Sequence, residues 1–112
     1  MTDATPLHRR HPVEYPQGTP PLSEEEAVAL QGRLDPAWDR DGTSRLSREF
    51  TFANFRDAFG FATRVALLVE REFHHPDLSV TWGRVGVALS THTVGGLSEN
   101  DFIIAARIDR LA

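Results

Sequence analysis

One change of rhythm constrains this chain more than any other feature: between Asn54 and Leu89 the apolar period switches from three-to-four to two. Phe55, Phe59, Ala62, Ala66, Val69 and Phe73 recur at helical steps. The stretch opens at Asn54, whose side chain can take a free backbone N–H of the first turn. Pro76 then denies the α region to His75 before it. Beyond this corner Leu78, Val80 and Trp82 alternate, and Val85, Val87 and Leu89 alternate again across Gly83-Arg84. Such alternation marks half-buried strands joined by a tight turn. A helix that hands over to a hairpin buries both apolar surfaces by lying across the sheet. The stripe from Phe55 to Phe73 is therefore expected to be core. Gly60 within it costs about 1 kcal/mol against alanine and is read as permitting close approach of the sheet.

The flanks extend this pattern. Ser23 and Glu26 have the spacing of a capping box ahead of Ala27, Leu30 and Leu34, and Gly32 with Asp35-Pro36 ends that helix. Asp41-Gly42 marks a turn between two short strands, the second carrying Leu46, Arg48, Phe50 and Phe52. Gly95-Gly96 breaks the last strand. Ser98 and Asp101 form another N-cap pair, ahead of Phe102, Ile103, Ala106, Ile108 and Leu111. The order α-β-β-α-β-β-α predicts an α+β domain of two layers, a four-stranded antiparallel sheet with three helices on one face. Period two places Arg84, Gly86, Ala88, Ser90 and His92 on the opposite face if the strand runs that far. Those small residues suit protein packing, and a sheet with an unprotected edge makes a homo-oligomer the economical expectation.

Composition sets the outer limits. At 112 residues the chain has room for one hydrophobic core. Pro6, Pro12, Pro16, Gly18, Pro20 and Pro21 forbid regular hydrogen bonding. Residues 1–21 are thus read as a disordered, extended arm whose basic start, His8 to His11, is solvated, and residues 22–112 as the domain. A formal charge of −4 disfavours phosphate-backbone binding, so direct nucleic-acid contact is not expected. The absence of cysteine excludes disulfides and thiolate zinc sites. No apolar run suggests a membrane span or signal peptide, and a cytoplasmic protein is expected.

Chemistry concentrates at the change of rhythm. His74 and His75 stand at the proline corner and His92 follows the second strand. Three imidazoles around one hairpin point to proton transfer or metal ligation. Adjacent histidines at a helix end rarely converge on one ion, which favours proton transfer. Taken alone, the pair would first be read as complementing the helix dipole; the third histidine turns the reading toward chemistry.

The run Glu70-x-x-x-His74-His75-Pro76, then Trp82, Ser90-Thr91-His92, Gly95-Gly96-Leu97-Ser98 and Asp101 resembles the pterin-4a-carbinolamine dehydratase family. The similarity extends from the Trp38 region through Phe50-Thr51-Phe52, Asn54-Phe55, Phe59-Gly60-Phe61 and Thr63-Arg64-Val65-Ala66-Leu67 to Ala105-Ala106-Arg107-Ile108-Asp109. The resemblance implies a hydro-lyase that dehydrates 4a-hydroxytetrahydropterin to quinonoid dihydropterin, in tetrahydrobiopterin recycling after aromatic amino-acid hydroxylation, without metal, nucleotide or other cofactor. It implies His74 and His92 as acid and base, with His75 holding the pterin and assisting, and Glu70, Pro76, Trp82 and Asp101 as substrate-binding residues. The carboxylates of Glu70 and Asp101 could fix an imidazole tautomer or accept from the amino-pyrimidine edge of the pterin. On the residues alone, Asp101 is equally a capping acceptor and Glu70 a solvated helix residue, while Trp82 reads first as a core or interface aromatic. Phe73 stands where many family members carry Asn or Asp. The family also implies a homodimer or homotetramer, and a second class of function: some members act as dimerisation cofactors, and relatives without the histidines as assembly factors. Retention of His74, His75 and His92 argues for catalysis.

Overall fold

The computed structural model describes residues 4–112. Its elements run α1 Glu24–Gln31, β1 Asp39–Asp41, β2 Arg45–Thr51, α2 Phe55–Glu72, β3 Asp77–Thr81, β4 Arg84–Leu89 and α3 Glu99–Asp109, with single 3₁₀ turns at Leu7–Arg9 and His92–Val94. The α-β-β-α-β-β-α order is the one the sequence predicts. Each helix begins where a side chain replaces a missing backbone partner. The Ser23 hydroxyl accepts from the Glu26 N–H at 3.1 Å while the Glu26 carboxylate accepts from the Ser23 N–H at 3.0 Å. Asn54 accepts from the Asp57 N–H at 2.8 Å, and Ser98 with Asp101 forms a second capping box.

The strands lie in the order β1-β2-β4-β3, all neighbours antiparallel. The register sets Leu46 opposite Leu89 and Phe50 opposite Val85, so these residues and Val87 share one face and are buried. The three helices cover that face. Phe61 is the centre of the layer contact, its ring 4.7 Å from Phe50 and 5.1 Å from Phe52. From α3 come Phe102, Ile104 and Ile108, all fully buried. Ser47, Glu49, Ser79, Gly86 and Ala88 line the other face, where an open cleft of about 320 Å³ holds no histidine. Strand β4 ends at Leu89, so Ser90 and His92 do not extend that face; His92 belongs to the 3₁₀ turn instead.

The buried stripe of α2 is not the one the period picked out. Ala58, Phe61, Ala62, Val65, Leu68 and Val69 are buried, whereas Phe55, Ala66 and Phe73 are exposed and Phe59 is 55% exposed. At 3.6 residues per turn the two stripes are rotated by roughly 80° and share only Ala62 and Val69. Apolar residues cover so much of this helix that both stripes satisfy the period. Docking Phe61 between Phe50 and Phe52 selects one of them. The sheet does not approach Gly60, where a Cβ would meet only the Arg64 guanidinium at 3.9 Å.

The proline-rich arm, read from the sequence as disordered and extended, is fastened to the domain. Leu7 is buried against the core, Arg10 pairs with Glu99, and Arg107 Nε donates to the His8 carbonyl at 3.2 Å. Further along, the Gly18 N–H reaches the Thr93 carbonyl and the Leu22 N–H the Leu97 carbonyl, each at 2.9 Å. Prolines deny the arm regular structure, and several of its backbone groups find partners on α3 and the loop before it.

Candidate active site

Helix α2 ends on Phe73, which takes the left-handed conformation at φ 53°. A residue with a Cβ is disfavoured there, and Gly, Asn and Asp tolerate it better. The Asn or Asp that the family resemblance implies at this position would take this conformation with less strain. The left-handed step turns the chain sharply off the helix axis, and the His74 N–H stays tied to the Val69 carbonyl at 3.3 Å. His74 thereby faces the start of α3.

There His74 Nε2 meets Asp101 Oδ1 at 2.7 Å. Asp101 is fully buried, and its second oxygen accepts from Thr91 Oγ1 at 2.8 Å and from the Ser98 N–H at 2.9 Å. Thr91 and Ser98 hydroxyls share a further bond of 2.6 Å. Cap and histidine partner, alternatives on the sequence alone, are thus two oxygens of one carboxylate. A carboxylate accepts, so Nε2 of His74 carries the hydrogen and, in the neutral ring, Nδ1 carries the lone pair. An anion in the first turn of α3 also sits at the positive end of the helix dipole.

His75 pairs with Glu70, Nε2 to Oε2 at 3.0 Å, in an exposed setting: the imidazole is 58% accessible and the carboxylate 75%. His92 opens the 3₁₀ turn that Gly95 closes in the left-handed region. Buried Thr91, bonded to Asp101 and bridged to Gly96, anchors that turn. All three histidines line one cavity of about 360 Å³, a volume suited to a small organic ligand. Phe73, Ser90, Thr91, Thr93 and Asn100 complete its domain side, and Val13, Glu14 and Tyr15 of the arm its outer side. Burial first, then the negative charges of Glu99 and Asp101, push the Tyr15 phenol above its usual value.

The other candidate residues are placed differently. Asp101 reaches the cavity through His74 and Thr91, and Glu70 through His75; neither lines it. Pro76 forms the corner after the histidine pair without lining the cavity. Trp82 sits 72% exposed at the β3–β4 turn, the end of β3 away from the histidines. Asn100 and the arm residues border the cavity without having been singled out from sequence. Asn100 had a signal, its place inside the Ser98–Asp101 box; the arm had none, because prolines read as loop wherever that loop lies. Among the described residues no three His, Asp or Glu side chains converge as a metal site.

Comparison with known proteins gives a concordant result. A profile described as pterin 4 alpha carbinolamine dehydratase matches residues 20–111. A Chlorobium luteolum protein named "Putative pterin-4-alpha-carbinolamine dehydratase" is 47% identical over 108 residues, 94% of each chain. One of the same name from Methylococcus capsulatus is 43% identical, covering 98% of this chain and 96% of its own. The crystal structure of a transcriptional coactivator/pterin dehydratase from Brucella melitensis superposes with a TM-score of 0.76 at 35% identity, covering 82% of this chain and 98% of that one. With the histidine corner, the four-stranded sheet and these matches in agreement, the chain belongs to the pterin-4a-carbinolamine dehydratase family.

Proposed function

We propose that this protein dehydrates 4a-hydroxytetrahydropterin to quinonoid dihydropterin by histidine acid/base catalysis. The observation that carries the reading is the convergence of His74, tied to buried Asp101, with His75 and His92 on one cavity. In the reaction the C4a–O bond breaks, the departing hydroxyl takes a proton and leaves as water, and a ring nitrogen gives up a proton. One imidazole donates and another accepts, a role general acid–base groups fill at about 10²- to 10⁴-fold each. His74 and His92 are the proposed pair, with His75 holding the pterin and assisting. The chemistry exchanges protons and uses no cofactor. We place the reaction in tetrahydrobiopterin recycling in the cytoplasm, on the pathway of an aromatic amino-acid hydroxylase. Among the described residues no helix is long and apolar enough to cross a membrane.

A homodimer or homotetramer belongs to the same proposal. Phe55, Phe59 and Ala66 lie exposed on one side of α2, with the Phe55 and Phe59 rings 5.8 Å apart. A helix face of this kind is normally covered. Sedimentation of the full chain as a monomer at micromolar concentration would remove this part.

The deciding experiment is the dehydration rate of chemically generated 4a-hydroxytetrahydropterin with the intact protein. His74→Ala and His92→Ala should each lower turnover by about 10² to 10⁴ with the melting temperature retained. A smaller effect removes that histidine from the chemistry. No acceleration by the folded wild type would sink the reading and favour the alternative, a non-catalytic binding or assembly role on the same fold.

A further inference from the structure

The carboxylates the family pattern matches are already engaged. Both Asp101 oxygens are taken, one by His74 and the other by Thr91 and Ser98, and the residue is fully buried. Glu70 is turned to His75 and does not line the cavity. Glu72 and Glu99 pair with Arg107 and Arg10. Among the described residues, one carboxylate lines the cavity of the three histidines, and it is Glu14 of the arm.

Glu14 is held there by a built contact. The preceding Val13 N–H donates to Asn100 Oδ1 at 2.9 Å, and the Asn100 amide donates back to the Val13 carbonyl at 2.6 Å. Asn100 is buried at the start of α3, directly before Asp101, so the residue that clamps the arm adjoins the one that orients His74. Four residues beyond Glu14, the Gly18 N–H is tied to the Thr93 carbonyl. The segment is therefore anchored on both sides of Glu14. The family profile begins at residue 20, past this segment.

We propose that Glu14, clamped by Asn100, is the specificity-determining residue that reads the donor edge of the pteridine. This rests on the dehydratase reading of the same cavity. A 2-amino-4-oxopteridine presents a ring N–H beside an exocyclic amino group, two parallel donors that match the two oxygens of a carboxylate. A 2,4-dioxopteridine replaces the amino donor with a carbonyl acceptor, which a carboxylate repels. The arm thereby sets which pteridine is held against the histidines, while proton transfer belongs to the domain.

The test measures binding of 7,8-dihydropterin and 7,8-dihydrolumazine to the full-length protein. Wild type should prefer the pterin by about 10- to 100-fold, the worth of a charge-assisted contact. Glu14→Gln, an exposed substitution, should bring the preference to within about threefold, with the loss in turnover falling mainly on KM. Asn100→Ala should lose the same discrimination, and the double variant no more than either alone, because both act through one contact. Unchanged preference in folded Glu14→Gln overturns the proposal and leaves the dehydratase reading standing. A wild type that binds neither pteridine overturns both.

Discussion

Two aspartates on one helix take opposite parts. Asp101 lies in the first turn of α3 and Asp109 is its last residue. Asp109 accepts from the Trp38 indole N–H at 2.9 Å and 3.0 Å and from Arg48 at 2.9 Å. Burial pushes its carboxyl above the usual range, opposed by the Trp38 hydrogen bond and the Arg48 charge, with Asp35 adding to the rise. Its partners are permanent donors, and together they pin the segment before β1 and the middle of β2 to the end of α3. Asp101 instead takes backbone and hydroxyl donors at a helix N-terminus and gives its other oxygen to an imidazole that borders a cavity. The residue type is the same and both sites are sheltered. Under the proposed chemistry, a partner that borders a cavity makes one a positioning residue; fixed donors in packed surroundings make the other a structural tie.

Asp101→Asn breaks this comparison most sharply. The amide can present a donor to His74 and stabilise the wrong tautomer, so turnover should fall by about 10² to 10⁴. Stability should also drop by about 1–3 kcal/mol through the weakened cap and the buried network, read from urea unfolding. Asp109→Asn should leave turnover within about twofold and change the pH dependence of stability instead. The native state holds this carboxyl above its unfolded value, so folding takes up a proton: the favourable contribution is present below the unfolded pKa and is lost as pH rises through the folded one. The variant lacks that slope. Paired urea titrations from about pH 7 to about pH 3 should therefore show wild type gaining on the variant as pH falls. A difference that stays flat would mean Arg48 and Trp38 cancel burial, and one that shrinks as pH falls would mean they outweigh it. Glu70→Gln should lower turnover less than about tenfold, far short of Asp101→Asn, because the Glu70–His75 pair is exposed and screened. A loss as large as that from Asp101→Asn would make the exposed pair the equal of the buried one.

Legibility followed the range of the interaction. Helix starts could be read because caps act over three residues: Ser23 with Glu26, Asn54 with Asp57, Ser98 with Asp101. The histidine corner could be read because a proline constrains the residue next to it. The inward face of α2 could not, since two stripes fit one period. The placement of the arm could not either, since its anchors, Glu99 and Asn100, lie 89 and 87 residues from their partners.

The sequence by itself determined the order of elements, the turn at Pro76, the three histidines around one hairpin and, through their spacing, the family. The elements and the turn follow from covalent sterics, capping or period, which act between neighbours in the chain; the family follows from the resemblance of its motifs. Tertiary structure decided that Phe61 rather than Phe59 faces the sheet, that Asp101 serves cap and histidine together, and that Glu14 stands at the histidine cavity. Those outcomes depend on packing and hydrogen bonds across long separations, 27 residues in the case of His74 and Asp101, where several pairings satisfy the local rules and only the assembled core selects one.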